Sequence, residues 1–125
     1  LIVPRNTRVF FPNNDPDFHN IYSLSRAKRF DIGRYKKNER PVPSVVFDRA
    51  GLVKLRCEIH EHMEAAVMVV DSSYAVTTDG VGKFSLKNVP AGNYVLHAFL
   101  DEKMSWQVPV AVRAGKPTKV NFPKK

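Results

Sequence analysis

The sequence predicts an all-β protein. Three observations carry that expectation: turn residues recur at short intervals, the apolar segments between them have strand character, and nine prolines spread over 125 residues leave no sustained 3.6-residue period. A chain of this length forms one domain of ordinary size or two very small ones. Its 43% hydrophobic and 26% charged residues are close to the globular average, which argues against disorder, and no apolar run is long enough to span a membrane.

The first strand-like segment, 18–24, follows the turn cluster Pro12-Asn13-Asn14-Asp15-Pro16. Residues 45–47 form a short apolar run ended by Asp48 and Gly51. Residues 52–57 alternate: Val53, Leu55 and Cys57 share one face and Lys54 and Arg56 the other, so Cys57 points inward at the end of a half-buried strand. Residues 65–70 are apolar throughout, which predicts a strand covered on both faces. The expected cover comes next, as short strands at 74–78, 83–86, 94–99, 107–112 and 118–122 with turns at Asp79-Gly80 to Gly82 and at Pro90-Ala91-Gly92. Met104 and Trp106 are read as packing residues, and His97 as a strand residue with a satisfied ring.

The net charge of +8 is diffuse, with +4 in residues 1–70 and +4 in 71–125. Its one dense stretch holds Arg26, Lys28, Arg29, Arg34, Lys36, Lys37 and Arg40, and reads as a solvated loop; the sharper alternative is a docking patch for an acidic partner or a lipid surface. No nucleic-acid-binding motif accompanies it. The first residues lack the layout of a signal peptide and there is no initiating Met, so the chain reads as processed or partial.

A single cysteine rules out an internal disulfide or a Cys-x-x-Cys metal ribbon. Alone, Cys57 would be a buried hydrophobe. Its neighbours change that reading, because Cys57-Glu58-Ile59-His60-Glu61-His62-Met63 brings thiol, imidazole and thioether together just after a strand. Those donors suit copper, and two His, one Cys and a weak Met form the ligand set of blue-copper sites. The second imidazole must come from elsewhere, and His19, after the Pro/Asn/Asp turn, is the natural donor. His60 is preferred to His62, which would leave no residue before Met63, so His62 is read as a surface rim residue.

The motif Cys-x2-His-x2-Met at 57–63 resembles the ligand loop of amicyanin, and His19-Asn20-Ile21 resembles the upstream ligand strand of plastocyanins. FPNNDPDFHNIYSLSRAKRFDIGRY, VVFDRAGLVKLRCEIHEHM and TTDGVGKFSLKNVPAGNYVLHAF together resemble periplasmic methylamine-utilisation-type cupredoxins, and 79–99 resembles a carboxypeptidase-regulatory, transthyretin-like β-sandwich. The resemblance implies a cupredoxin-like Greek-key unit at 1–71 packed against a smaller, incomplete sandwich at 72–125, whose missing or short first strands reflect absent upstream sequence or edges completed by a partner. It further implies one copper ion cycling between Cu(I) and Cu(II), with His19, Cys57 and His60 equatorial and Met63 axial. Asn20 would steady the Cys loop by a hydrogen bond.

A site filled by protein donors leaves no open position for substrate, so the expectation is a single-electron carrier and not an enzyme. Asp15, Asp17, Glu58, Glu61 and Glu64 lie near ligand positions and would steer it toward a positively rimmed redox partner, such as a c-type cytochrome or a larger redox complex. The resemblance implies a periplasmic or extracellular location. The rival is a copper-binding structural or assembly subunit of a larger complex, and a zinc hydrolase on His60 and His62 is disfavoured because it has no use for Cys and Met.

Overall fold

The computed structural model describes residues 1–60, 62–100 and 104–123. Glu61, expected on the acidic rim, lies outside them. The described residues contain nine strands and no helix: β1 (Ile2–Pro4), β2 (Thr7–Phe10), β3 (His19–Ser25), β4 (Lys28–Tyr35), β5 (Ser44–Phe47), β6 (Gly51–Arg56), β7 (Glu64–Val70), β8 (Gly92–Phe99) and β9 (Ser105–Val112). Consequently, none of the described residues forms a helix long and apolar enough to cross a membrane.

Alternation along each strand builds two facing layers. One is a five-stranded sheet in the order β1-β7-β6-β3-β4, and the other is the antiparallel pair β2-β5. Only β1 runs parallel to its neighbour, matching Ile2 to Met68 and Pro4 to Val70. The core between the layers is Val3, Val45, Phe47, Val53, Leu55, Val67 and Val69, flanked by Val9, Phe11, Ile21, Ala27, Phe30 and Ile32. Burying each valine, leucine or phenylalanine of the seven core residues stabilises by about 1.5–3 kcal/mol before entropy is set against it. Phe47 is fully buried and meets the edge of the Phe30 ring.

Gly51 opens β6 at φ 139°, a left-handed conformation that glycine tolerates. A β-carbon there would stand 3.0 Å from the Ala27 β-carbon, so glycine also permits β6 to pass close beneath the β3–β4 turn. That turn is tied by Ser23 Oγ, which donates to the Lys28 carbonyl at 2.7 Å. Ser25 Oγ accepts the Lys54 N–H at 2.9 Å, linking the turn to β6.

Three sequence expectations are corrected. The basic stretch is not simply a solvated loop: Lys28–Tyr35 is strand β4. Phe30 and Ile32 turn toward the core while Arg29 and Asp31 face out, a two-residue period that the charge density masks. Strand β7 is not covered on both faces: Val67 and Val69 are buried, Met68 and Val70 are half-buried, and Ala65 and Ala66 are exposed. An unbroken apolar run permits double burial without enforcing it, and the small alanines cost little in water.

The second half pairs less than expected. Strands β8 and β9 form an antiparallel sheet from Gly92↔Val112 to Phe99↔Ser105. Residues 74–78, 83–86 and 118–122 carry no ladder. The backbone N–H groups of Val81 and Lys83 are bound by the Asp79 carboxylate at 3.0 and 2.9 Å, so local side-chain bonds replace pairing there. The Phe84 and Phe122 rings still meet, with centroids 6.2 Å apart.

Candidate metal centre

The site forms at one end of the five-stranded sheet. Strand β3 begins at His19, and its pairing with β4 slips register between Asn20 and Tyr22. His19 and Asn20 pair in register with Tyr35 and Arg34 ahead of that slip, and both are buried although adjacent. Strand β6 delivers Cys57 just beyond Arg56, the residue that pairs with Tyr22 of β3. The chain then turns tightly, and the Met63 N–H donates to the His60 carbonyl at 3.0 Å.

Three donors converge. The Cys57 sulfur lies 3.9 Å from His19 Nδ1 and 3.8 Å from His60 Nδ1. One ligand atom from each of these residues falls within 4.8 Å of the others. A thiolate and an imidazole that share one ion at ordinary bond lengths lie about 3.5–3.8 Å apart, so the separations fit a single metal. The donor chemistry, one soft sulfur and two imidazoles, fits copper. Met63 is half-exposed at the end of the same turn, and His62 is exposed and outside the cluster. His97 is also elsewhere, stacked on Phe99 in β8.

Asn20 knits the site together. Its Oδ1 accepts the Glu58 N–H at 2.8 Å and lies 3.5 Å from the Cys57 sulfur, from which it accepts when the thiol is protonated. Burial alone would push the Cys57 thiol up. Hydrogen bonds from the Asn20 backbone and from the His19 and His60 rings outweigh it and hold the thiol down at about 6, against an ordinary 9.0. The Cys57 sulfur in turn raises His19 above the usual imidazole value; burial opposes this and the Asp15 carboxylate adds to it.

The outer nitrogens of the two rings face carboxylates. Asp15 Oδ2 lies 2.9 Å from His19 Nε2, and Asp17 Oδ2 lies 3.8 Å from His60 Nε2. Both acids belong to the turn before β3, which Asn13 organises from inside the protein. The Asn13 amide donates to the carbonyls of Asp17 and Tyr35 at 2.9 and 3.3 Å, and its oxygen accepts the Asp15 N–H at 2.9 Å. Sequence reasoning noted the acids but missed their aim and the part played by Asn13. The four-residue spacing from Asp15 to His19 was the available signal.

A β-sandwich that gathers a thiol and two imidazoles at one end has the architecture of a cupredoxin, and this chain is a cupredoxin-like protein. It is similar to a solved structure described as a novel purple cupredoxin from Nitrosopumilus maritimus, with 27% sequence identity and a TM-score of 0.50, over 56% of this chain and 76% of that one. The carboxypeptidase regulatory-like domain family matches residues 63–123. No curated protein matches the chain. Nothing in these likenesses singles out the amicyanins.

Proposed function

We propose that the chain binds one copper ion through His19, Cys57, His60 and Met63 and serves as a single-electron carrier. The observation that supports this most is the convergence of two imidazole Nδ1 atoms on one buried sulfur whose thiol is already depressed toward the thiolate. Copper bound by such donors supplies a one-electron couple that soft sulfur and imidazole ligands tolerate in both oxidation states. The protein's part is to hold the donors still. Asn20 fixes the Cys57 loop from β3, and the buried His19 ring stands between sulfur and carboxylate. The His60 ring, with a third of its side chain exposed, offers the route by which an electron leaves.

The surroundings support a docking role. Phe18, Ile59 and Met63 are exposed apolar side chains at positions next to or within the donor set. Asp15, Asp17, Glu58 and Glu64 add negative charge around them on a chain that is otherwise basic. We read this end as the contact surface for a positively rimmed redox protein, such as a c-type cytochrome or a larger redox complex, in a periplasmic or extracellular setting. Reversing the charge at Glu58 and Glu61 would then slow reduction by such a partner at low salt, and an unchanged rate would remove the idea.

We further divide the chain into a copper-binding unit at 1–71 and a carboxypeptidase-regulatory-like unit at 72–125. A second reading, in which the protein is an assembly subunit, is favoured by the exposed Tyr94, Val95, Phe99 and Leu100 of the β8–β9 region. Optical and spin-resonance spectra of copper-loaded protein beside Cys57→Ser separate the two. An intense visible thiolate-to-copper band that bleaches reversibly and vanishes in the variant supports the carrier. A colourless or redox-silent metal supports the subunit.

A further inference from the structure

We propose that Asp15 is a positioning residue for the metal centre, its carboxylate accepting the outer N–H of His19 so that Nδ1 is presented toward Cys57 as a strengthened donor. This rests on the copper reading above. A neutral imidazole carries one N–H, so a ring that gives its Nδ1 lone pair to a metal must carry its hydrogen on Nε2. In His19 the two nitrogens face opposite partners, Cys57 Sγ at 3.9 Å from Nδ1 and Asp15 Oδ2 at 2.9 Å from Nε2. The ring is only 7% exposed, and burying that N–H without a partner would cost about 1–3 kcal/mol.

Asp15 is well exposed, yet its position is built. Its own N–H is bound by the buried Asn13 side chain, whose amide is anchored to Asp17 and Tyr35. The Asn13 carbonyl in turn accepts the Asn38 N–H at 2.9 Å, pinning the turn to the segment after β4. The two acids are therefore unequal. Asp17 stands 3.8 Å from His60 Nε2, beyond hydrogen-bond length, on a ring that reaches solvent. His19 is the ring held from outside, and His60 is the ring left open.

A carboxylate that accepts the outer N–H makes an imidazole a stronger donor, which favours the more highly charged metal ion. Asp15 therefore lowers the reduction potential and tightens Cu(II) binding. Copper titrations against a competing chelator, with voltammetry, test this on the whole chain and its Asp15→Asn, Asp15→Glu and Glu58→Gln variants. Asp15→Asn is expected to weaken Cu(II) binding about 10–100-fold and to raise the potential. Asp15→Glu, which keeps a charged carboxylate acceptor where Asn offers only a neutral amide oxygen, should recover most of both. Glu58→Gln removes the same charge beside Cys57 and should move the potential less.

In the diamagnetic Cu(I) form, the His19 Nε2 proton should exchange slowly with solvent in the parent protein and faster in Asp15→Asn. If Asp15→Asn matches Glu58→Gln in affinity and potential while the parent keeps its thiolate-to-copper band, the role of Asp15 is overturned and the copper site stands. If the parent shows no such band, both fall together.

Discussion

The Asn20 side-chain oxygen lies 2.8 Å from the Glu58 backbone nitrogen, so the strand that supplies His19 also clamps the loop that supplies Cys57 and His60. Asn20 is 1% exposed, and deleting its amide strands a backbone N–H. Asn20→Ala should cost about 2 kcal/mol of stability, read by chemical denaturation of the metal-free protein. In the copper-loaded protein the same change should broaden the thiolate-to-copper band. An unaltered band would mean that the loop holds its shape unaided.

Asn13 makes three side-chain hydrogen bonds from a buried position, and they shape the turn that carries both acids. Asn13→Ala is expected to destabilise by about 2–3 kcal/mol in the same denaturation measurement. It should also reproduce part of the affinity loss of Asp15→Asn, because the carboxylate loses its support. A stability loss with no change in copper affinity would show that the turn and the site are independent.

Gly51 couples a left-handed backbone to a close approach. Gly51→Ala should destabilise by about 1–3 kcal/mol, since φ 139° strains any side chain and the new methyl meets Ala27 at 3.0 Å. Ala27→Gly in the same background relieves the clash and leaves the strain. Partial recovery in the double variant, seen as a rise in denaturation midpoint, would apportion the two causes.

The thiol yields a pH prediction for the metal-free protein. Cys57 titrates at about 6 when folded and at an ordinary 9.0 when unfolded. The thiolate's contribution to stability is therefore fully present above about 9.0, shrinks as pH falls, and is gone below about 6. His19, raised from 6.5, works in the opposite sense: its share is complete below 6.5 and is lost as pH rises through its folded value. Ultraviolet thiolate absorbance against pH should show its midpoint near 6, and a midpoint near 9 would remove the electrostatic picture of the pocket.

Much of the site was legible because its parts are local. Residues 57–63 follow an alternating strand, so the burial of Cys57 and the placing of His60 in the next turn needed no knowledge of the rest of the chain. His19 was singled out by its turn and its neighbour Asn20, and its Nδ1 lies 3.9 Å from the Cys57 sulfur. The aim of Asp15 at the far side of the His19 ring was not legible, because it depends on a turn folded around Asn13, whose partner Tyr35 lies 22 residues away. Strand β4 was hidden for another reason: arginines and lysines on the outer face dominated a stretch whose inner face is Phe30 and Ile32. The apolar run at 65–70 misled in the opposite direction, since composition records what burial a strand tolerates and not what covers it.

Cys57, His60 and Met63 all ride on the connector between β6 and β7, while the layers beneath are sealed by Phe47, Val53, Val67 and Val69. Lengthening, shortening or replacing that connector would recast the chemistry of the centre without reopening the sandwich. Only His19 and Asn20, fixed in β3, would stay behind as the anchorage to which any substitute loop must conform.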